Sequence, residues 1–519
     1  MKTKSFLLSA LAALLLAGCS DDAQEDKGIP GEILVGKAYL SLSLQNHATG
    51  TPTRANPEQK PGSSEESEAG TVTVLLFDEE NVCLDVVDFS GTKVGNSEGN
   101  SQPTAQASDA KLVPEKTKRV FVVINPYSSG WNLSKDAVAG KQWSAINTAI
   151  DAVIANVATD NKFMMASAGT KDKGALTDVT VYKPTEYTQE AVDEAMANAK
   201  LNAVTVNVDR LSAKVQVGVK SPGFTIPEGA SFTFGGWELS VTNKSVRLYS
   251  DLVTYTGASA GAVYRRDKNF EAAEQPKNES EMKAAFNYLK NIDNAGQDMP
   301  AVAQTNGTSL YCLENTMEAV AQQLGYTTKV VVKAQYTPKG LAQNVSYFSW
   351  KGGYYTLAAL KDEYANTSGG GLKVDLPKFL YKAGFGDIYK DDADQTAKDN
   401  GVNALKDADF NEKTGIIGRY CAVRYYHQSV CYYDVLIRHD QSITTKMALG
   451  RYGVVRNNWY NIELQSASGP GTPWIPDPSD PDPTNPTEPD INDDEADAYL
   501  SVKIVINPWV FWTQGADLH

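Results

Sequence analysis

At 519 residues the chain is too long for one hydrophobic core, so its length calls for two domains and extras. Its 48 basic and 63 acidic residues leave a net charge of -15, which argues against nucleic acid as a partner, since a phosphate backbone needs a basic face. Four His are few for a metalloenzyme of this size, and 25 Tyr with 42% hydrophobic residues suit a folded, Tyr-rich β protein.

Residues 1–19 read as an address and not as part of the fold. Lys2 and Lys4 precede a short apolar run, Leu7 to Leu16, which is too short to cross a bilayer as a stable helix. Leu16-Ala17-Gly18-Cys19 has the form of a lipobox. The Cys19 thiol would take a lipid and anchor the chain by acyl burial, at ~0.8 kcal/mol per CH₂. Ser20 to Asp26 is polar and acidic. A flexible lead follows, and then a strand from Ala38 that sets Leu40, Leu42 and Leu44 on one face. Residues 48–57 are small, polar and proline-bearing, the composition of an exposed loop. Arg54 with Ala55 behind it is an accessible site for a trypsin-like protease. Loop composition alone favours a solvated surface arginine.

Residues 60–70 read as another loop. Val72, Val74 and Leu76 alternate as in a strand, and Arg119 to Asn125 is dense enough to be a buried one. Trp143, Ile146, Ile150, Val153 and Ile154 have helical spacing, which predicts a helix over 141–156. A second helix is predicted over 188–199. Val204 to Val219 alternates around Asp209-Arg210 and marks the passage to a second domain. Beyond it, strands are expected at 231–234, 237–241, 245–249 and 327–336. A surface helix is expected from Glu279 to Ile292, and a hairpin around Gly352-Gly353. Arg419 to Asp440 reads as a pair of strands, and Gly453 to Leu464 as the last strand of the globular body.

Ser466 to Asp497 is a tether of Pro mixed with Asp, Ser, Asn and Thr. It favours extended polyproline II and reaches on the order of 90 Å at ~3.1 Å per residue. The strand Ala498 to Trp512 follows, with Leu500, Val502, Ile504 and Ile506 on one face. Its opening, Ala498-Tyr499-Leu500-Ser501-Val502-Lys503-Ile504, nearly copies Ala38-Tyr39-Leu40-Ser41-Leu42-Ser43-Leu44. Two strands with the same face fit the same groove at different times, one from the subunit and one from a neighbour. That pattern points to a strand-exchange polymer. The plainer alternative is a terminal strand that folds back on its own domain, since a lone strand must pair with something.

No catalytic constellation stands out, no metal or cofactor is implied, and the chain is not expected to be an enzyme. Gly369-Gly370-Gly371 lies in a polar loop and reads as a turn rather than a phosphate cradle. His427 and His439 read as structural. Asp391, Asp392 and Asp394 read as a solvated acidic loop. Cys421 and Cys431 are ten apart, which leaves a disulfide across a hairpin open.

Taken together, Leu16 to Cys19, Arg54 in its small-residue loop, Asp209-Arg210 with Ala213-Lys214-Val215, Glu314-Asn315-Thr316, Val454 to Asn458, the Pro/Asp tether and Tyr499 to Trp509 resemble the fimbrillins of Bacteroidota. These are type V pilus subunits, and the resemblance is nearest to the Mfa-type shaft subunit of short fimbriae. The acidic stretch after Cys19 is similar to the export tags of Bacteroidota surface lipoproteins. The resemblance implies a mainly β chain with two transthyretin-like β-sandwich domains, a few short helices and a tethered donor strand. It also implies an outer-membrane lipoprotein precursor that ends in a cell-surface fimbrium. An Arg-specific protease would cut after Arg54 and expel the strand carrying Leu40, Leu42 and Leu44. The strand carrying Leu500, Val502, Ile504 and Ile506 of the next copy would fill the groove. The expected divisions are 1–19 signal, 20–54 propeptide, 55–205 and 206–465 sandwich domains, 466–497 tether and 498–519 donor strand. Expected partners are copies of the chain in a head-to-tail filament, anchor and tip subunits, and the protease. The alternatives are a tip or accessory adhesin, and a surface glycan-binding lipoprotein.

Overall fold

The computed structural model describes residues 35–46, 60–96, 105–127, 129–255, 263–289, 305–366, 371–440, 442–475 and 500–510. The chain is mainly β. In order, its first strands are β1 (Lys37–Leu40), β2 (Leu42–Asn46), β3 (Lys60–Pro61), β4 (Val72–Phe77), β5 (Cys83–Asp88), β6 (Val94–Asn96), β7 (Lys111–Pro114), β8 (Arg119–Ile124), β9 (Ile150–Asp151), β10 (Met165–Ser167), β11 (Thr177–Asp178) and β12 (Val204–Arg210). One large sheet runs β5-β4-β8-β10-β12-β2-β6, with β11 also on β8.

This sheet is apolar on both faces because alternate side chains point to opposite sides. Val120, Val122 and Ile124 of β8 join Leu40, Leu42 and Leu44 in one core. Phe121 and Val123 face the other, with Trp131, Leu133 and Ile146. The dense apolar run is thus a strand buried on both sides. The helix Gln189–Leu201 forms as expected, with Thr188 accepting from the Ala191 amide at its N-terminus.

Leu211 is the crossing point. The strand before it, β12, lies in the N-terminal sheet, and the strand after it lies in a different one. The later strands are β13 (Ser212–Val219), β14 (Ser231–Ser240), β15 (Thr242–Asn243), β16 (Ser245–Val246), β17 (Asp251–Thr254), β18 (Val263–Arg266), β19 (Phe286–Asn287), β20 (Ser309–Leu313), β21 (Lys329–Thr337), β22 (Tyr347–Trp350), β23 (Gly353–Tyr355), β24 (Arg424–Tyr426), β25 (Val430–Leu436), β26 (Asn458–Ala467) and β27 (Leu500–Val510). A sheet in the order β20-β13-β26-β27-β3 faces a smaller sheet, β14-β21-β25. Trp237, Val330, Val332, Tyr433, Tyr460 and Ile462 lie in the core between them.

Several sequence expectations change. Only Trp143–Ile146 of 141–156 is α-helical. Ile150–Asp151 pairs instead with β16, so strand pairing overrides a helical period. The helix from Glu279 stops at Ala285, because Phe286 and Asn287 pair with β15. The two strands expected at 231–241 are one, broken in register between Phe234 and Gly236. The hairpin around Gly352-Gly353 forms as β22–β23.

The tether begins later than expected. Ala467 pairs with Leu500, and Thr472 exchanges backbone hydrogen bonds with Tyr432 at 2.7 and 2.9 Å. Tyr433 and Tyr426 donate their hydroxyls to the Gly469 and Gly471 carbonyls. A Cβ on Gly471 would lie 1.9 Å from the Tyr432 carbonyl oxygen, so this packing depends on a glycine there. Trp474 and Ile475 are buried. Residues 476–499, the rest of the expected tether, lie outside the described residues.

The sequence reading assigned no element between the hairpin and Arg419, where helices Leu357–Asn366, Leu372–Lys382 and Gln395–Ala404 pack together and a fourth, Glu412–Ile417, lies against β24. Their core holds Phe348, Leu360, Phe379, Val402 and Phe410. The acidic cluster caps one of them: Asp394 accepts from the Ala397 amide at 3.0 Å. Phe379→Ala is expected to remove ~3–5 kcal/mol of stability, as for other buried aromatics. Urea unfolding, followed together with amide exchange in these helices, measures it.

Candidate functional site

The N-terminal strand is embedded along its whole described length. On one edge β2 pairs in parallel with β12, from Leu42↔Val204 to Asn46↔Val208. On the other it pairs with β6, from Leu44↔Val94 to Asn46↔Asn96. Before it, β1 pairs with β7, and Tyr39 exchanges backbone bonds with Tyr182 at 2.8 and 2.9 Å. Leu40, Leu42 and Leu44 are each at most 1% exposed. At ~1.5–3 kcal/mol per buried aliphatic side chain, these three anchors hold the strand by roughly 5–9 kcal/mol before ordering costs.

The C-terminal strand also has a seat. It pairs antiparallel with β26 from Asn458↔Pro508 to Ala467↔Leu500, with a register shift between Leu464 and Ser466. Leu500 and Ile504 are buried in the sandwich core and Val502 packs against it. Ile506 pairs with Tyr460. Among the described residues, the far edge of β27 pairs with Lys60–Pro61, opposite Trp509 and Val510. In this monomer the terminal strand therefore folds back on its own domain, the plainer of the two arrangements open from sequence.

Between the two seats lies a buried polar junction. Arg265 pairs with Asp209, and Arg456 with Glu314 at 3.0 Å. Arg456 also donates to the Leu248 and Arg247 carbonyls, each at 3.0 Å. Burial pulls the Arg210 guanidinium down to about 9. Arg210 donates to the Glu66 carbonyl at 3.0 Å and to Ser67. Burial would raise the Glu66 carboxyl, but hydrogen bonds from Lys214 and Tyr311 outweigh it and hold the group below its usual range. The Asn457 amide donates to Asp209 at 3.0 Å and to Asn46, the last residue of β2, at 3.3 Å. Asn315 and Val454 exchange backbone bonds at 2.8 and 2.7 Å. The separate motifs around Asp209, Glu314 and Val454 thus meet in one place.

Cys19, Arg54 and Ala55 lie outside the described residues. In sequence they fall between Asn46, the end of β2, and Lys60, the start of β3, except for Cys19, which precedes β1. Cys421 and Cys431 are not joined. No hairpin brings them face to face: β24 pairs with β22, the chain turns at His427–Ser429, and β25 enters the other sheet. Cys431 is buried in the sandwich core, and Cys421 packs on the helical core. Among the described residues no group of His, Cys, Asp and Glu is arranged to hold a metal ion, and no helix is long and apolar enough to cross a membrane.

Residues 424–515 match the family model of the C-terminal part of fimbrillin, the major fimbrial subunit protein type IV. That C-terminal region is similar to the C-terminal part of a fimbrillin. The fimbrillin match spans both β26 and the strand seated on it. No curated protein matches the chain in sequence. Among solved structures, a putative cell adhesion protein from Parabacteroides distasonis aligns at 10% identity and a TM-score of 0.40, covering 92% of this chain and 98% of that one. A fimbrilin from Porphyromonas gingivalis aligns at 15% identity and a TM-score of 0.36, covering 92% and 99%. The tip fimbrial protein Mfa3 from Porphyromonas gingivalis aligns at 11% identity and a TM-score of 0.34, covering 91% and 100%.

Leu42→Ala is expected to cost ~2–5 kcal/mol, read from urea unfolding, because the groove cannot collapse around the missing methyls. A pH effect arises at His439. Its Nδ1 lies 2.8 Å from the Tyr460 hydroxyl, and burial lowers its pKa to about 4. The unfolded chain takes up this proton near pH 6.5, as an unperturbed His does. The folded chain resists it until about pH 4. Stability from this group is thus present above about pH 6.5 and falls as pH drops toward 4. His439→Gln is expected to flatten that part of the stability–pH curve, measured by thermal unfolding.

Proposed function

We propose that the chain is a structural subunit of a cell-surface fimbria that polymerises when its N-terminal strand is removed and the C-terminal strand of another copy replaces it. The observation that carries this reading is the difference between the two seats. The N-terminal groove offers a strand pairing on two edges, while β26 offers one full edge and β3 a two-residue contact. A C-terminal strand that moves into a vacated groove gains main-chain hydrogen bonds on its second side. An empty groove, by contrast, exposes unpaired backbone and an apolar strip, which is a liability. The contact is heterologous, so it extends as a filament and does not close into a dimer.

In this reading an Arg-specific protease cuts after Arg54 and leaves Ala55 as the mature N-terminus. The expelled piece carries Leu40, Leu42 and Leu44. Leu500, Val502, Ile504 and Ile506 are the anchors of the donor. The precursor reaches the outer membrane as a lipoprotein through Cys19, and anchor and tip subunits bound the filament. The work of such a subunit is binding and needs no catalytic group, which supports a non-enzymatic role.

Brief treatment of lipid-free precursor with a trypsin-like protease tests this. The expected result is a clean Ala55 start, followed by heat-labile ladders on gels and fibres by electron microscopy. Both should vanish on deletion of residues 498–519. A clean cut with a lasting monomer would favour a capping or tip subunit. Resistance at Arg54 would sink the processing step and favour the surface glycan-binding lipoprotein.

A further inference from the structure

Resting on the strand-exchange reading, we infer that the N-terminal groove recognises the sequence Ala-Tyr-Leu-Ser, and that Ser108 sets the register of the strand that enters it. Successive residues of the resident strand meet different surfaces. Ala38 is fully buried, and Leu40 points into the core of the sheet. Tyr39, on the other face, lies against Val192, Ala195 and Ala199 of the helix Gln189–Leu201. Ser41 sits in the break between β1 and β2.

At that break Ser108 stands in for a ladder partner. Its amide donates to the Leu42 carbonyl at 2.8 Å, and its hydroxyl accepts from the Leu42 amide at 3.0 Å. These two bonds use only the strand's backbone and accept any residue. The third does not. The Ser41 hydroxyl donates to the Ser108 carbonyl at 2.7 Å, in a buried setting. A strand without a hydroxyl at this position leaves a buried carbonyl short of its partner.

Ala498-Tyr499-Leu500-Ser501 repeats Ala38-Tyr39-Leu40-Ser41 without a change. On β26 Ser501 is exposed, so the C-terminal seat asks nothing of its hydroxyl. The groove does. Placing Ser501 where Ser41 lies brings Tyr499 to the helix pocket and Leu500 to the core. The copy then changes at each later position: Val502 and Ile504 keep the apolar face of Leu42 and Leu44, and Val505 replaces Gln45. Lys503 replaces the buried Ser43, whose bridge partner Ala107 is exposed, so the lysine stem has to run past Ala107 to carry its ammonium to water. Ile506 replaces Asn46, and the Asn457 amide keeps its bond to Asp209.

The test uses the full chain cut after Arg54. Ser501→Ala is expected to leave the uncut monomer's stability unchanged, because the side chain is exposed there. After the cut it is expected to lower polymer yield roughly five- to tenfold at limiting concentration, with Ser501→Thr restoring it. The Ser41 and Ser108 hydroxyl oxygens lie 3.3 Å apart, so a cysteine pair reports the register directly. Ser108→Cys with Ser501→Cys is expected to give a reductant-sensitive covalent ladder between subunits. Ser108→Cys with Lys503→Cys, two residues out of register, is expected to give none. A ladder from the Lys503 pair alone, or full polymer yield with Ser501→Ala, would overturn the assignment and leave strand exchange standing. If the unsubstituted cut chain forms no polymer, the exchange reading falls instead. A synthetic peptide of residues 498–510 then decides the groove's preference. Binding to the cut chain several-fold tighter than its Ser501→Ala form sustains the assignment, and equal or absent binding ends it.

Discussion

A strand inside a sheet has two edges, and every amide and carbonyl along both needs a partner. The arrangement of this chain follows from that constraint. The N-terminal strand satisfies both edges within its own sheet, between β12 and β6. The C-terminal strand satisfies one edge in full on β26. The two are otherwise alike in length and apolar face, so the difference in edges sets which seat is the stronger. In the proposed exchange, that difference in pairing supplies the driving force.

The polar junction ties residues on either side of Leu211 together through buried ion pairs and hydrogen bonds. Its ion pairs are almost fully buried, so each must be saturated by further hydrogen bonds to be tolerated. Arg456 meets that requirement with Glu314 and two backbone carbonyls. Replacing such pairs by apolar residues often costs little stability, so their contribution is better understood as specificity of arrangement. The junction reaches the N-terminal strand through the Asn457 amide on Asn46. The segment after β3 is held by Glu66 on Lys214 and Tyr311.

How far the sequence could be read varied with how local the cause of each element is. The strand at Arg119–Ile124 was legible because its apolar residues come from the run itself. The helix at Gln189–Leu201 was legible from its cap and its small-residue stripe. The helix expected over 141–156 failed because Ile150 finds a strand partner in β16, nearly a hundred residues away in sequence. The same reason undid the Cys421–Cys431 hairpin, since β24 and β25 belong to different sheets. The four helices between Tyr355 and Arg424 were open to reading. Leu357, Leu360 and Tyr364 have helical spacing, as do Leu372, Leu376, Phe379 and Leu380.

By itself the sequence determined the β class, the two terminal strands with one apolar face each, and the near copy between them. These are local patterns, fixed by which side chains stand next to one another along the chain. Tertiary structure alone decided which seat each strand takes, how many edges it pairs, and where the tether begins. It also brought Asp209, Glu314 and Asn457 into one junction, and it set Ser108 against Ser41. Such facts depend on partners far apart in sequence, and pairing between distant segments leaves no periodic trace in either one.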